Sequence, residues 1–357
     1  MKQFYQVTKK LMKSNFTRLD SPCKITFAVT YACTFRCKTC NIGRNFMADP
    51  KGVIKGELDY QEIGKIFRNA KPSWLQLTGG EPFMRDMYLI LKTIVENDDE
   101  LYAVSTTTNG FATKVIVDSV KRILELEIPR FVVSISLDGF EHDHEDVRGI
   151  KTSFEKCINT FNELRKLENG HFNVFISYTS SPYNMGKIDN FIKSMKEKYN
   201  IPPKYIHMNL YHTSNHFFGN TDQKRSEEYN QKVLNEIKTY RKYKKGNDFK
   251  VAFLEDRYTK FSEDFVKTGR SPLPCKALNS SIFLNPYGDI FPCLIWSKKL
   301  GNLRDYDYDI KKLWQEPEVV KAQKDAENLR CPNCWTPCEA YQTIAGNLNK
   351  SLIKISN

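Results

Sequence analysis

The stretch Ile25-Thr-Phe-Ala-Val-Thr-Tyr31, Ala32, Cys33-Thr-Phe-Arg-Cys37-Lys-Thr-Cys40 decides the reading of this chain. Residues 25–31 alternate apolar and polar, as in a β-strand. Three cysteines follow at once, spaced C-x3-C-x2-C. Three thiolates on one short loop can bind three irons of a cubane cluster. A zinc site is the competing reading, but it asks for a fourth Cys or His nearby, and Asn41 to Pro50 supplies none. One iron would therefore stay open to an outside ligand, the feature that separates a catalytic metal centre from a structural one.

Downstream of this loop, strand and helix patterns alternate. Asp59 is the expected N-cap of a helix, with Glu62 completing a capping box. Strands are expected at 74–78, 102–107, 131–137, 172–179 and 204–210. Helices are expected near 86–97, 112–126, 153–168 and 187–199. About six β/α units imply a parallel sheet covered by helices, here a partial (β/α)6 TIM-type barrel of α/β class. Residues 225–245 read as a charged helix. From about 250 the alternation is expected to stop and a small cysteine-rich domain to begin. The expected division is a basic arm over 1–24, a barrel over 25–245 and an auxiliary domain over 246–357.

More groups of chemical interest lie where barrel strands end. Gly79-Gly80-Glu81-Pro82 follows the second strand; two glycines permit close backbone approach, and a carboxylate can accept from an ammonium group. Thr108-Asn109-Gly110 ends the third strand. Ser136 ends the fourth, and Arg148 lies twelve residues on. Serine can bond a ribose hydroxyl, and arginine can grip a carboxylate bidentately. For Arg148 the plainer reading is a surface ion pair with Glu145 or Asp146.

Together these motifs resemble the radical S-adenosylmethionine (SAM) superfamily. The resemblance spans roughly residues 24–340. It implies a [4Fe–4S] cluster on Cys33, Cys37 and Cys40, with SAM bound at the open iron through its amine and carboxylate. It further implies reductive cleavage of SAM to a 5′-deoxyadenosyl radical that abstracts a substrate hydrogen atom. Gly79, Gly80, Glu81 and Pro82 match the motif that binds the SAM amine. Asn109, Ser136 and Arg148 match further SAM contacts, Arg148 at the carboxylate. Thr39 departs from the pattern, because an aromatic residue usually precedes the last cysteine and contacts adenine.

Five more cysteines lie near the C-terminus: Cys275, Cys293 after Gly288, and Cys331-Pro-Asn-Cys334-Trp-Thr-Pro-Cys338. Asn285 to Cys293 reads as a hairpin presenting a thiol, and a helix is expected near 309–328. The set is similar to the SPASM and twitch extensions of the superfamily. Five cysteines favour the smaller twitch form, with a second [4Fe–4S] cluster on Cys275, Cys293, Cys331 and Cys334. Cys338 is then an alternative ligand, a structural thiol or a substrate-facing group. A zinc-ribbon-like site is the competing reading. Cys23 and Cys157 read as buried structural thiols.

The chain of 357 residues carries a net charge of +12, with lysines spread along its length. That is an ordinary solvated surface or an attraction to an acidic partner, such as a reduced flavodoxin or ferredoxin. No nucleic-acid motif accompanies the charge. No apolar run approaches a membrane span and no secretory signal is present, so a cytoplasmic location is expected. The resemblance points to an oxidase or maturase acting on a small molecule or a peptide. About 24 residues precede the first strand, which disfavours a fused peptide-recognition domain. The tail Ile355-Ser-Asn357 lacks the glycine-arginine-glycine ending of the molybdopterin first-step cyclase and disfavours that enzyme. Tyr205 to Asn220, rich in Tyr, His and Phe, is a candidate pocket lining, with His207, His212 and His216 as polar contacts. The alternative class is a non-catalytic iron–sulfur or zinc protein that carries electrons or scaffolds an assembly.

Overall fold

Apolar side chains at every second position turn six strands into a sheet with one face against helices. β1 (Lys24–Thr30), β2 (Trp74–Gly79), β3 (Ala103–Thr108), β4 (Arg130–Ser136), β5 (Phe172–Ser180) and β6 (Ile206–Leu210) are all parallel. In this computed structural model, residues 2–222, 226–244 and 249–353 are described, without side chains for 249–252 and 352–353. The tail Ile355–Asn357 and the expected domain border near 245 lie outside these residues.

The buried face carries Leu75, Leu77, Val133, Ile135, Val174 and Ile176, packed with Ile63, Phe67, Ile90, Val120 and Phe161 of the covering helices. The opposite face, half-open, carries Gln76, Thr78, Ser105, Thr107, Ser134, Ser136, Ser177 and Thr179. This polar face is the inner face of a partial barrel. The Asp59 cap forms as expected: its carboxylate accepts from Glu62 N–H at 2.8 Å, and Glu62 accepts from Asp59 N–H at 2.9 Å.

Parallel pairing continues past residue 250. After the helix Phe249–Thr268, β7 (Ser281–Leu284) pairs in parallel with β1, in register Lys24 with Ser281 and Phe27 with Leu284. β8 (Asp289–Phe291) and β9 (Gly301–Asn302) then turn antiparallel. One nine-stranded sheet results, in the order β6-β5-β4-β3-β2-β1-β7-β8-β9. The expectation that alternation ends near 250 is therefore corrected: one more strand joins the barrel before the hairpin begins. The hairpin at Asn285–Cys293 forms as expected. The helix expected near 309–328 is two, Ile310–Trp314 and Pro317–Glu327. Pro317 lacks the N–H that a continuous helix would need and starts the second one instead.

Residues 1–24, read as an arm, contain the helix Lys2–Ser14. Its Val7 and Leu11 pack with Leu19, Cys23 and Tyr102, and Lys10 pairs with Glu100 at 2.7 Å. Among the described residues no helix is long and apolar enough to cross a membrane.

Ile282 sits fully buried at the β1–β7 seam. Ile282→Ala is expected to cost about 2–5 kcal/mol. Anaerobic calorimetry should record one lowered transition for barrel and auxiliary region together; an unchanged midpoint would contradict the shared core.

Candidate SAM and auxiliary cluster sites

β1 ends where the cysteine loop begins, and the loop is tied down on three sides. Lys38 N–H donates to Val147 O at 2.8 Å, Asn41 N–H to Phe218 O at 2.8 Å, and Asn220 Nδ2 to Thr39 O at 2.9 Å. The last two ties come from the aromatic segment read as a pocket lining. Cys37 and Cys40 interact electrostatically, as do Cys33 and Cys37. Burial pushes the Cys33 and Cys40 thiols up to about 12 and raises Cys37 as well. Burial raises the structural thiols Cys23 and Cys157 in the same way, so it is the C-x3-C-x2-C spacing on one loop that fits a metal cluster.

The Gly79–Pro82 turn lies against this loop. Gly80 N–H donates to Thr30 O and Glu81 N–H to Ala32 O, both at 2.8 Å. Gly79 has φ +136°, and a Cβ there would collide with Thr30 O. A Cβ on Gly80 would collide with Ala32 O and crowd Cys33. Only glycine fits either position.

Glu81 is buried. One carboxylate oxygen accepts from Thr108 Oγ1 at 2.8 Å and Phe83 N–H at 3.2 Å; the other accepts from Asn109 N–H at 2.6 Å. Burial pushes its carboxyl up to about 7, against the pull of these donors. Glu81 and Asn109 of the expected set are thus joined directly.

Arg148 is not at the surface and does not pair with Glu145 or Asp146. Its Nε lies 2.8 Å from Asp138 Oδ2, and its Nη1 lies 3.9 Å from Cys37 Sγ. Burial works against its charge, but Asp138 and the neighbouring thiols more than offset this and keep it protonated. Asp138 is a partner that motif reading missed. It is itself held by Thr179 N–H at 2.9 Å, and only the crossing from β4 to β5 brings these groups together. Ser136 ends β4 on the inner face. Cys157 is buried, as expected, and donates to Asn109 O at 3.0 Å behind the site. Cys23 is buried under the N-terminal helix.

In the C-terminal region, Cys275, Cys293, Cys331 and Cys334 line one cavity with Trp296, Trp335 and Glu339. The thiols of Cys293 and Cys334 lie close enough to shift each other's affinity for a proton, Cys293 upward and Cys334 downward. Cys338 does not line this cavity. Its sulfur accepts from Gln76 Nε2 at 3.0 Å on the inner face of β2. Four convergent thiols fit the donor set of a cubane. Among the described residues no three His, Cys, Asp or Glu side chains meet closely enough for a single metal ion.

The three histidines divide. His212 is structural: its ring bonds Leu210 O and Trp335 N–H, both at 2.9 Å. His207 faces Glu255 at 3.0 Å. His216 stacks on Phe291 at 4.3 Å between ring centroids, and burial lowers it to about 4.

Both cysteine groups meet one apolar cluster. Ala28, Ile42, Phe217, Phe283 and Phe291 form its body together with Cys293; Cys33, Cys40, Cys275, Cys334 and Cys338 pack around it.

A family model described as the radical SAM superfamily matches residues 27–195, and one described as an iron–sulfur cluster-binding domain (SPASM) matches residues 275–335. The subtilosin biosynthesis protein AlbA of Bacillus subtilis is 22% identical over 93% of this chain and 71% of its own length. A GTP 3′,8-cyclase of Campylobacter jejuni is 26% identical over 40% of this chain, which spans 43% of that protein. Among solved structures, anSMEcpe with bound AdoMet matches with TM-score 0.57 at 15% identity, covering 93% of this chain and 97% of that one. SuiB of Streptococcus suis bound to SAM matches with TM-score 0.56 at 15% identity, covering 98% and 76%. At such identity these two speak for the fold, a partial TIM barrel with its C-terminal extension.

The chain belongs to the radical SAM superfamily. Within it, the C-terminal SPASM domain makes this a radical SAM enzyme of the maturase type, with a [4Fe–4S] cluster, SAM and an auxiliary cluster as its cofactors. The zinc reading and the non-catalytic scaffold are set aside by these matches.

Gly80→Ala is expected to reduce iron bound after anaerobic reconstitution, because the added methyl must displace Ala32 O and Cys33. Iron and sulfide analysis reads this; a full complement would show that the loop yields freely.

Proposed function

We propose that this enzyme matures a peptide by oxidation, a hydrogen atom, an electron and a proton leaving the substrate, with Cys275, Cys293, Cys331 and Cys334 holding the auxiliary cluster that would accept the electron and bulk water taking the proton. The observation that carries the reading is that cysteines of both groups pack on one apolar cluster, while the polar inner face of the barrel is left half-open for a substrate. Relatives support a peptide. AlbA takes part in making a bacteriocin, and SuiB and anSMEcpe have been solved with the precursor peptide SuiA and with the Cp18Cys peptide.

When bound, the SAM cluster supplies the electron that cleaves SAM and so generates the hydrogen-abstracting group. The chain's residues supply the rest. Cys33, Cys37 and Cys40 hold that cluster, and the Gly79–Gly80 backbone admits the methionyl end of SAM. Glu81 would accept from the SAM amine, Arg148 would grip the carboxylate, and Ser136 and Asn109 would bond the ribose side; Pro82 shapes the turn, and Thr39 would stand on the adenine side. Asp138 is a positioning residue for Arg148. Cys275, Cys293, Cys331 and Cys334 hold one auxiliary cluster, and Cys338 stays a thiol in the barrel. Tyr31 packs between Phe217 and Tyr287, with its hydroxyl buried and without a hydrogen-bond partner, and would be free to bond a peptide carbonyl that reached it. A reduced flavodoxin or ferredoxin delivers electrons to the basic surface, and the cytoplasm, where thiols stay reduced, is the compartment this chemistry asks for.

The reading predicts 5′-deoxyadenosine from SAM and dithionite after anaerobic reconstitution, and none from a Cys33→Ala/Cys37→Ala/Cys40→Ala variant. With a cognate peptide, the product should be lighter by two hydrogens for each SAM consumed; an unchanged mass with continuing SAM cleavage would refute a peptide oxidation. Glu81→Gln should raise the Kd for SAM by tenfold or more at unchanged iron content, as loss of a charge-assisted hydrogen bond worth about 1.5–3 kcal/mol would. Equilibrium binding to the reconstituted protein checks this.

A further inference from the structure

One buried acid lines the auxiliary cavity, one buried base touches the helix that carries it, and neither has a part in holding SAM. Glu339, on the helix Pro337–Ala345, is 3% exposed and lines the same cavity as the four cysteines. One of its oxygens accepts from Ser281 Oγ at 3.0 Å and from Gln342 Nε2. The other is buried with no hydrogen-bond partner. Its charge reaches Cys275, Cys293 and Cys334.

Lys24 faces it. This first residue of β1 is 1% exposed, and its ammonium lies over the Trp74 ring at 4.5 Å and donates to Cys338 O. It interacts with Glu339 and with the Cys338 thiol. The helix that carries Glu339 belongs to the auxiliary region, whereas Lys24 belongs to the strand that runs up to Cys33. The register of Lys24 with Ser281, the donor to Glu339, is what brings the two together.

We propose that Glu339 and Lys24 are positioning charges that set the reduction potential of the auxiliary cluster, the carboxylate lowering it and the ammonium raising it. The inference rests on the assignment of that cluster to Cys275, Cys293, Cys331 and Cys334. Reduction adds one negative charge to the cluster. In a water-poor interior a carboxylate beside the cavity opposes that charge and an ammonium favours it. Desolvation lowers the affinity of Lys24 for a proton, and Cys338 O, the Trp74 ring and the Glu339 charge act against that loss. One Glu339 oxygen has no hydrogen-bond donor, so its charge is left to act on the groups around it, the lining thiols among them.

The test uses the full-length chain with Cys33→Ala/Cys37→Ala/Cys40→Ala, so that only the auxiliary cluster is present. The protein is reconstituted with iron and sulfide and titrated with dithionite and mediators at pH 8.5, with the reduced cluster read by electron paramagnetic resonance. Glu339→Gln in this background is expected to move the midpoint to higher potential. Lys24→Met should move it lower, and Lys24→Arg should leave it near the background value. Unchanged midpoints in both Glu339→Gln and Lys24→Met, or shifts of the same sign, overturn the inference while leaving the ligand assignment standing. If one variant fails to load iron, the other carries the test alone. Loss of iron from both overturns it too, because the pair would then be building the cavity wall. Absence of any cluster from the background protein refutes the ligand assignment itself.

Discussion

Parallel pairing of β1 on both sides is the interaction on which the rest of this molecule depends. β2 holds one edge of β1 and β7 holds the other. The strand therefore cannot slide, and the loop at its end starts from a fixed point. The glycine turn after β2 is aligned with that loop because β1 and β2 share a register, with Thr30 opposite Gly79. The auxiliary hairpin is placed by the same strand from the other side. A one-residue slip would turn every inward side chain outward, so the cysteine loop, the Glu81 turn and the auxiliary cavity are fixed by one set of hydrogen bonds.

Burial does much of the chemical preparation. The cysteine thiols, Glu81, Arg148 and Glu339 all lie where water is scarce, so each charge is costly unless another charge answers it. Asp138 answers Arg148 and Lys24 answers Glu339. Glu81 is answered by three hydrogen-bond donors and sits near neutrality in its affinity for a proton. Such groups respond strongly to an added ligand, since few waters compete for the interaction. The aromatic body formed by Phe217, Phe283 and Phe291 keeps the space between the two cysteine groups apolar.

Local signals were legible in the amino-acid sequence wherever neighbouring residues act on each other. The alternation of 25–31, the Asp59 capping box, the cysteine spacing and the Gly79–Gly80 turn all depend on contacts within a few positions. The folded chain bears out the six barrel strands and the hairpin that ends at Cys293. The continuous helix over 309–328 was misread because Pro317 interrupts an otherwise helical apolar pattern. The seventh parallel strand was missed because Ser281–Leu284 is only four residues long and has no distinctive pattern of its own.

What the sequence by itself determined is which thiols share one short loop and which turn can approach them, since cysteine spacing and a glycine's freedom are local properties. Tertiary structure decided the partners. Arg148 could be assigned to a surface pair until the β4 end brought Asp138 against it. Cys338 could not be separated from the other four cysteines until Gln76 was found beside its sulfur and the remaining four around one cavity. Lys24 gave no sign in the sequence of being buried, because its position, first in a strand, is ordinary for an exposed lysine. Pairing across distances of about a hundred residues or more is set by sheet register and core packing, and those are sums over many weak contacts that no single stretch of sequence records.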